Sequence, residues 1–202
     1  MVTIRKEKLA DLAAREALLD EAYGAERFAK ASERLREGRL PADGLSLVAV
    51  DGRALVGTVR LWNLAISPGR DALLLGPLAV HPTFRNRGIG TALVRCAVAR
   101  ARLAGHGAIV LVGDAAYYRR FGFTALPARN LWMPGCFDRD QLLALELRPG
   151  ALAGARGLIG AAGRYVPTPD LAALVVRELA AQDVAVKNPI IQGGRRRRAL
   201  AA

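Results

Sequence analysis

The residues best suited to chemistry lie between positions 76 and 124. Arg85-Asn86-Arg87-Gly88-Ile89-Gly90-Thr91 joins an apolar run, Leu73 to Val80, to a long amphipathic stretch beginning at Gly88. A glycine-bearing turn between a strand and a helix leaves backbone N–H groups without partners at the positive end of the helix dipole, an arrangement that favours an anion. Arg85 and Arg87 add formal charge, and a pyrophosphate is the natural guest of such a nest. Taken alone, the turn is equally well explained as a structural connection. Two familiar phosphate loops do not fit. No Gly-Lys-Ser/Thr closes the segment, and the glycines do not follow the first strand of a βαβ unit.

Other reactive side chains have plainer explanations. His81 has a suitable reference pKa of about 6.5 for base catalysis, but it sits between a strand and Pro82 and reads as structural. His106, between Gly105 and Gly107, fits a helix end. Cys96 lies on an apolar helix face and reads as core, and Asp114 can cap the helix that follows it. Trp62, Trp132 and Phe137 are able to line a pocket, yet in a chain with 5% aromatics they read as core or interface anchors.

The elements that must position these residues follow from periodicity and punctuation. Val2 to Ile4 reads as a strand, Leu9 to Tyr23 as a helix stopped at Gly24, and Glu26 to Arg36 as a second helical stretch. Leu45–Val50 and Ala54–Ile66, separated by Asp51-Gly52, form a hairpin pattern. Leu73 to Val80 is a strand interrupted by Gly76-Pro77, and a proline inside a strand belongs at a bulge or edge. Gly88 to Leu103 is the clearest helix, followed by strand Ala108 to Val112, a short helix over Ala115 to Phe121, and strands near Leu131 and over Gln141 to Leu147. From Pro149 the composition shifts to Gly and Ala. A helical stretch opens at Asp170 and runs to Gln182, and residues 187 to 202 have little to pack.

Composition bounds the rest. A chain of 202 residues fits one α/β domain, since single cores stop growing at about 250 to 300 residues. The apolar share is 52%, but no run approaches the roughly 20 residues of a membrane span. The N-terminus reads as a strand and not as a signal. Cys96 and Cys136 have no ligand-spaced neighbours, which argues against a disulfide framework or a zinc site and fits a reducing cytoplasm. Net charge is +12, of which Arg195 to Arg198 supply four, so the body is basic without its tail. Such a field attracts nucleic acid, anionic lipid or a phosphorylated cofactor alike.

The turn resembles the acyl-CoA-binding turn of the GNAT superfamily of N-acyltransferases, Arg/Gln-x-x-Gly-x-Gly/Ala, with Arg85, Gly88 and Gly90 at the defining positions. Leu75-Gly76-Pro77-Leu78-Ala79-Val80-His81-Pro82 resembles the bulged fourth strand of that family, and Tyr117-Tyr118-Arg119-Arg120-Phe121-Gly122-Phe123 resembles its second motif. The resemblance is sharp over residues 73 to 124 and looser over 1 to 72 and 125 to 150.

The resemblance implies an α/β fold with a mixed, centrally splayed sheet flanked by helices over residues 1 to 150, with residues 151 to 202 as a C-terminal extension. It implies that Leu78, Ala79 and Val80 pair with the pantetheine of acetyl-CoA, that the N–H of Leu78 polarises the thioester carbonyl, and that Arg85, Asn86, Arg87, Gly88, Ile89, Gly90, Thr91 and Tyr117 surround the cofactor. Tyr118, four residues before Gly122, matches the tyrosine that protonates the departing thiolate. Relatives often carry a carboxylate on the fourth strand. Here Leu73, Leu74 and Leu75 occupy that stretch and Asp71 lies near its beginning, so the base is unassigned. The implied activity is transfer of an acetyl group from acetyl-CoA to a primary amine by direct attack, without a metal. Two other readings compete with it: a non-catalytic acyl-CoA-binding regulatory module, and a basic nucleic-acid-associated protein. The expected partners are acetyl-CoA, an amine and, as in many relatives, a second copy of the chain. Nucleic acid is at most an accessory contact of the Arg195 to Arg198 tail.

Overall fold

The computed structural model describes residues 1–166, which form one compact unit. The helical stretch expected up to Gln182 and the arginines at 195–198 lie outside the described residues. Strand β1 (Val2–Lys6), helix α1 (Leu12–Tyr23), strands β2 (Ser46–Asp51), β3 (Ala54–Ile66) and β4 (Arg70–Val80), helix α2 (Ile89–Leu103) and strand β5 (Ala108–Val112) follow in order. After them come α3 (Ala115–Tyr118), β6 (Leu131–Trp132), β7 (Leu142–Glu146), β8 (Gly157–Leu158) and β9 (Gly160–Ala161). The main sheet runs β1-β2-β3-β4-β5-β7, with β9 also paired to β3.

Only β4 and β5 are parallel neighbours in that sheet. They pair at Leu73–Ile109 and Leu74–Val110 and then separate, so the expected mixed sheet, opened at its centre, is what the chain forms. The cause of the separation lies in β4. Its pairing with β3 jumps from Leu75–Leu61 to Leu78–Val59, which leaves Gly76 and Pro77 facing Arg60 alone. Pro77 has no N–H to give a ladder, so a bulge costs the sheet little there. The indole Nε1–H of buried Trp62 donates to the Gly76 carbonyl at 2.7 Å, satisfying a group that the bulge removes from the ladder.

Side-chain alternation along the strands divides the core into two layers. Leu61, Leu73, Leu75, Ile109 and Leu111 meet Leu93, Val94 and Ala97 of α2 and Phe123. Trp62, Leu64, Leu74 and Val110 meet Leu131, Leu142, Ala144, Leu152 and Ile159 on the other side. Residues past Pro149 therefore contribute core: Leu152, Ala155 and Ile159 are buried, and β8 and β9 pair with β6 and β3. Among the described residues no helix is long and apolar enough to cross a membrane.

One expected element takes a different form. Instead of a continuous helix over Glu26 to Arg36 there are two 3₁₀ turns, Ala25–Ala29 and Glu33–Leu35, with Lys30 extended at φ −67° and ψ 140° between them. A helix this short is marginal by itself. The break at Lys30 lets Ala31 and Leu35 reach the layer containing Trp62 and Leu64.

Candidate active site

Where β4 and β5 part, a cleft of about 280 Å³ opens, lined by Leu74 to Leu78 of β4, Val112 and Gly113 after β5, Tyr118 of α3, Gln141, and Tyr23, Arg27, Lys30, Ser32 and Arg36 from the α1 side. The strand wall offers backbone. His81 N–H donates to Val56 at 2.9 Å and Ala79 pairs with Thr58, so both turn their polar groups toward β3. By the alternation of an extended strand, Leu78 and Val80 turn theirs toward the opening. The Leu78 carbonyl accepts from the Tyr23 hydroxyl and the Val80 carbonyl from Arg85 Nε at 3.4 Å. Their N–H groups face the gap that β5 has left.

Beyond Val80 the chain enters the glycine turn. Asn86 has φ 59° and Gly88 φ 76°, both left-handed, and α2 starts at Ile89. The N–H of Ala92 donates to Gly88 at 2.9 Å, so the N–H groups of Ile89, Gly90 and Thr91, one turn earlier, have no acceptor within the helix. A β-carbon at Gly90 would stand 3.0 Å from the Tyr117 hydroxyl. Glycine at this position thus lets α3 approach the turn and brings Tyr117 to its rim. The Arg87 guanidinium stacks 5.0 Å over Phe84, and Arg120 4.9 Å over Tyr117. This cradle of orphan N–H groups, glycine and arginines fits a pyrophosphate.

Tyr118 faces the cleft from the β5 side. Its ring packs edge-on against Tyr117 and Phe123, and a β-carbon at Gly113 would lie 2.5 Å from its Cε2, so the ring's seat exists only because residue 113 is glycine. Burial pushes the Tyr118 phenol well above the ordinary tyrosine range, and the neighbouring Tyr23 and Tyr117 add to the effect. Tyr23 is raised as well, by burial, against the opposing pull of Arg36 and Arg85.

The remaining candidates settle into structural positions. Asp114 Oδ1 accepts from Ala116 N–H at 2.8 Å and caps α3. His81 Nδ1 meets Thr83 Oγ1 at 2.9 Å while Nε2 stands 3.5 Å from Glu21. Cys96 packs on the core. His106, held below the ordinary histidine range by burial, shares a separate depression with Asp71, away from the cleft. Trp62 is core, and Trp132 stacks against Phe137 and Arg139 outside the cleft. Among the described residues no group of three His, Cys, Asp or Glu side chains could hold a metal.

Sequence reasoning missed the opposite wall. Tyr23, Lys30 and Arg36 carry no motif. The signals available were a tyrosine on the last turn of α1 and a cluster of cations just after it. The arginines of this wall are held by ion pairs: Arg27 donates to Glu16 at 2.6 Å and to Asp20 at 2.9 Å, and Arg36 pairs with Glu33.

Comparison with known proteins agrees with this geometry. The family model described as "Acetyltransferase (GNAT) domain" matches residues 42–125. The Escherichia coli K12 protein named "Uncharacterized N-acetyltransferase YhbS" is 33% identical over 168 residues, covering 77% of this chain and 93% of its own length. The crystal structure of E. coli YhbS in complex with CoA superposes with a TM-score of 0.67 at 28% identity, over 80% of this chain and 89% of that one. A Brucella melitensis GNAT family acetyltransferase in complex with acetyl-CoA gives 0.57 at 27% identity, over 84% and 94%.

Proposed function

The chain belongs to the GNAT acetyltransferase family, and we propose that it moves an acetyl group from acetyl-CoA to a primary amine by direct attack in a ternary complex. The observation that carries this reading is the opening between β4 and β5, with outward N–H groups of Leu78 and Val80 on one side and the Tyr118 phenol on the other. When bound, acetyl-CoA supplies an activated acetyl group on a thiol leaving group.

Each residue then has a defined task. The turn from Arg85 to Thr91, with Tyr117 at its rim, holds the pyrophosphate through backbone N–H groups and two guanidinium groups. Leu78 and Val80 flank Ala79 along the strand edge that receives the pantetheine, and Leu78 N–H donates to the acyl oxygen, where negative charge develops during attack. The new bond joins amine nitrogen to acyl carbon as the carbon–sulfur bond breaks. Tyr118 gives its proton to the departing sulfur and regains one from solvent. The amine gives one of its own protons to solvent.

Proton affinities agree with those roles. A phenol near 10 and a thiol near 8.5 would make transfer from tyrosine modestly uphill in water. Burial raises Tyr118 further, but it raises a thiolate in the same dry cleft too, so the two rise together. With its phenol above the ordinary tyrosine range, Tyr118 is protonated at neutral pH. No carboxylate among the described residues lines the cleft, so the amine, with a pKa near 10.4 if lysine-like, reacts through its neutral fraction. The test is release of free thiol from acetyl-CoA across a panel of primary amines at alkaline pH. Turnover by wild-type protein that falls sharply in Tyr118→Phe supports the reading. Binding of acetyl-CoA with no turnover of any amine contradicts it and leaves a coenzyme-binding regulatory module.

A further inference from the structure

The wall opposite β4 carries a charge pattern that acetyl transfer alone does not require. Arg27, Lys30 and Arg36 line the cleft, and among the described residues neither Asp nor Glu does. Arg27 is neutralised by two carboxylates, Glu16 at 2.6 Å and Asp20 at 2.9 Å. Arg36 has one. Only 8% exposed, it donates through Nε to the Ser32 carbonyl at 3.2 Å and through Nη2 to Glu33, while Nη1 has no acceptor among the described residues. Lys30 extends its ammonium 4.5 Å over the Tyr23 ring and forms no ion pair among the described residues. These two cations stand apart from Arg85 and Arg87 of the turn, which line no part of this cleft.

A primary amine approaches as an ammonium. In a cleft whose charged lining among the described residues is cationic, a bare ammonium or a polyamine finds no anionic side chain to meet it. An amine that carries its own carboxylate is close to neutral, and its anion meets the free Arg36 nitrogen and Lys30 through charge-assisted hydrogen bonds. The space, about 280 Å³, suits a small molecule. We propose that the acceptor is a small amino-carboxylic acid, with its carboxylate held by Lys30 and Arg36 and its amine directed at the thioester beside Leu78. This rests on the transferase reading above.

The test separates the two. Coenzyme A is first titrated calorimetrically into wild-type, Lys30→Glu and Arg36→Gln protein. N-acetylglycine and its neutral methylamide are then titrated into the coenzyme A-loaded proteins as product-side probes that need no turnover. The expected result is the acid binding at least about tenfold more tightly than the amide, the scale of one charge-assisted hydrogen bond. Lys30→Glu, at an exposed position, should erase that preference with coenzyme A affinity unchanged. Arg36→Gln should weaken the acid alone. Equal binding of acid and amide, binding of neither, or loss of coenzyme A affinity in Lys30→Glu overturns the proposal while the transferase reading stands. Failure of coenzyme A to bind folded wild-type protein removes the transferase reading, and the acid and amide titrations into unloaded protein then decide whether the cationic pocket selects carboxylates by itself.

Discussion

On the β4 side of the cleft, Leu78, Val80 and the turn from Arg85 to Thr91 present backbone N–H groups fixed by a strand and the start of a helix. On the α1 side, Tyr23 at the end of the helix and Lys30 and Arg36 on irregular turns present side chains, of which Arg36 is held by an ion pair. Backbone groups aimed by secondary structure are hard to displace by substitution except where a glycine is replaced, and they suit a ligand whose recognised part never varies. Side chains on short turns change one at a time, and they suit the part of the reaction that distinguishes one acceptor from another. The first wall should therefore break all at once and the second by degrees.

The largest effect is expected from Tyr118→Phe, which removes the proposed proton donor and keeps the ring. kcat should fall about 10²- to 10⁴-fold with acetyl-CoA affinity unchanged in calorimetry. A drop in affinity in place of kcat would move Tyr118 from chemistry to packing. Next is Gly88→Asp combined with Gly90→Asp. It sets a side chain at φ 76°, another against the Tyr117 hydroxyl, and two negative charges where an anion should bind. We expect at least about a hundredfold loss of acetyl-CoA affinity in protein that circular dichroism shows folded.

Gly113→Ala sharpens the comparison further, because the new methyl collides with the Tyr118 ring at 2.5 Å. Thermal unfolding should report about 1 to 3 kcal/mol of destabilisation, and kcat should fall about tenfold, the order expected for a misplaced catalytic group. Trp62→Phe leaves the Gly76 carbonyl without its indole partner and should cost about 1 to 3 kcal/mol in denaturant unfolding. In pH dependence, kcat/KM should climb about tenfold per pH unit toward the pKa of the amine. Because burial raises Tyr118, no falling limb should appear near pH 10. A plateau below pH 8 would reveal a general base that the described cleft lining does not contain.

The difference between the walls also explains what the amino-acid sequence disclosed. Gly76-Pro77 announced the bulge because proline cannot serve a ladder, and β5 ran over Ala108–Val112 as its apolar run foretold. The glycine turn and α2 followed local rules of capping and periodicity, and Tyr118 stood at a recognisable spacing from Gly122. The opposite wall depends on contacts between residues distant in sequence. Glu26 to Arg36 carries helical periodicity, but burial of Ala31 and Leu35 beside Trp62 and Leu64 overrides it. Arg36 is buried by that same packing. Nor does the Gly- and Ala-rich run after Pro149 suggest core, and Leu152 and Ile159 enter it through the short pairings of β8 and β9. Local rules were legible where backbone lines the cleft, and tertiary packing hid the wall that side chains form.

The central claim is that backbone of β4 and the turn receives the coenzyme, and an amide-resolved titration of ¹⁵N-labelled protein with coenzyme A tests it most directly. We predict the largest shifts at Leu78, Val80 and Gly88 to Thr91, with small changes at Lys30 and Arg36. Saturable binding whose shifts bypass Leu78, Val80 and the turn would contradict the account.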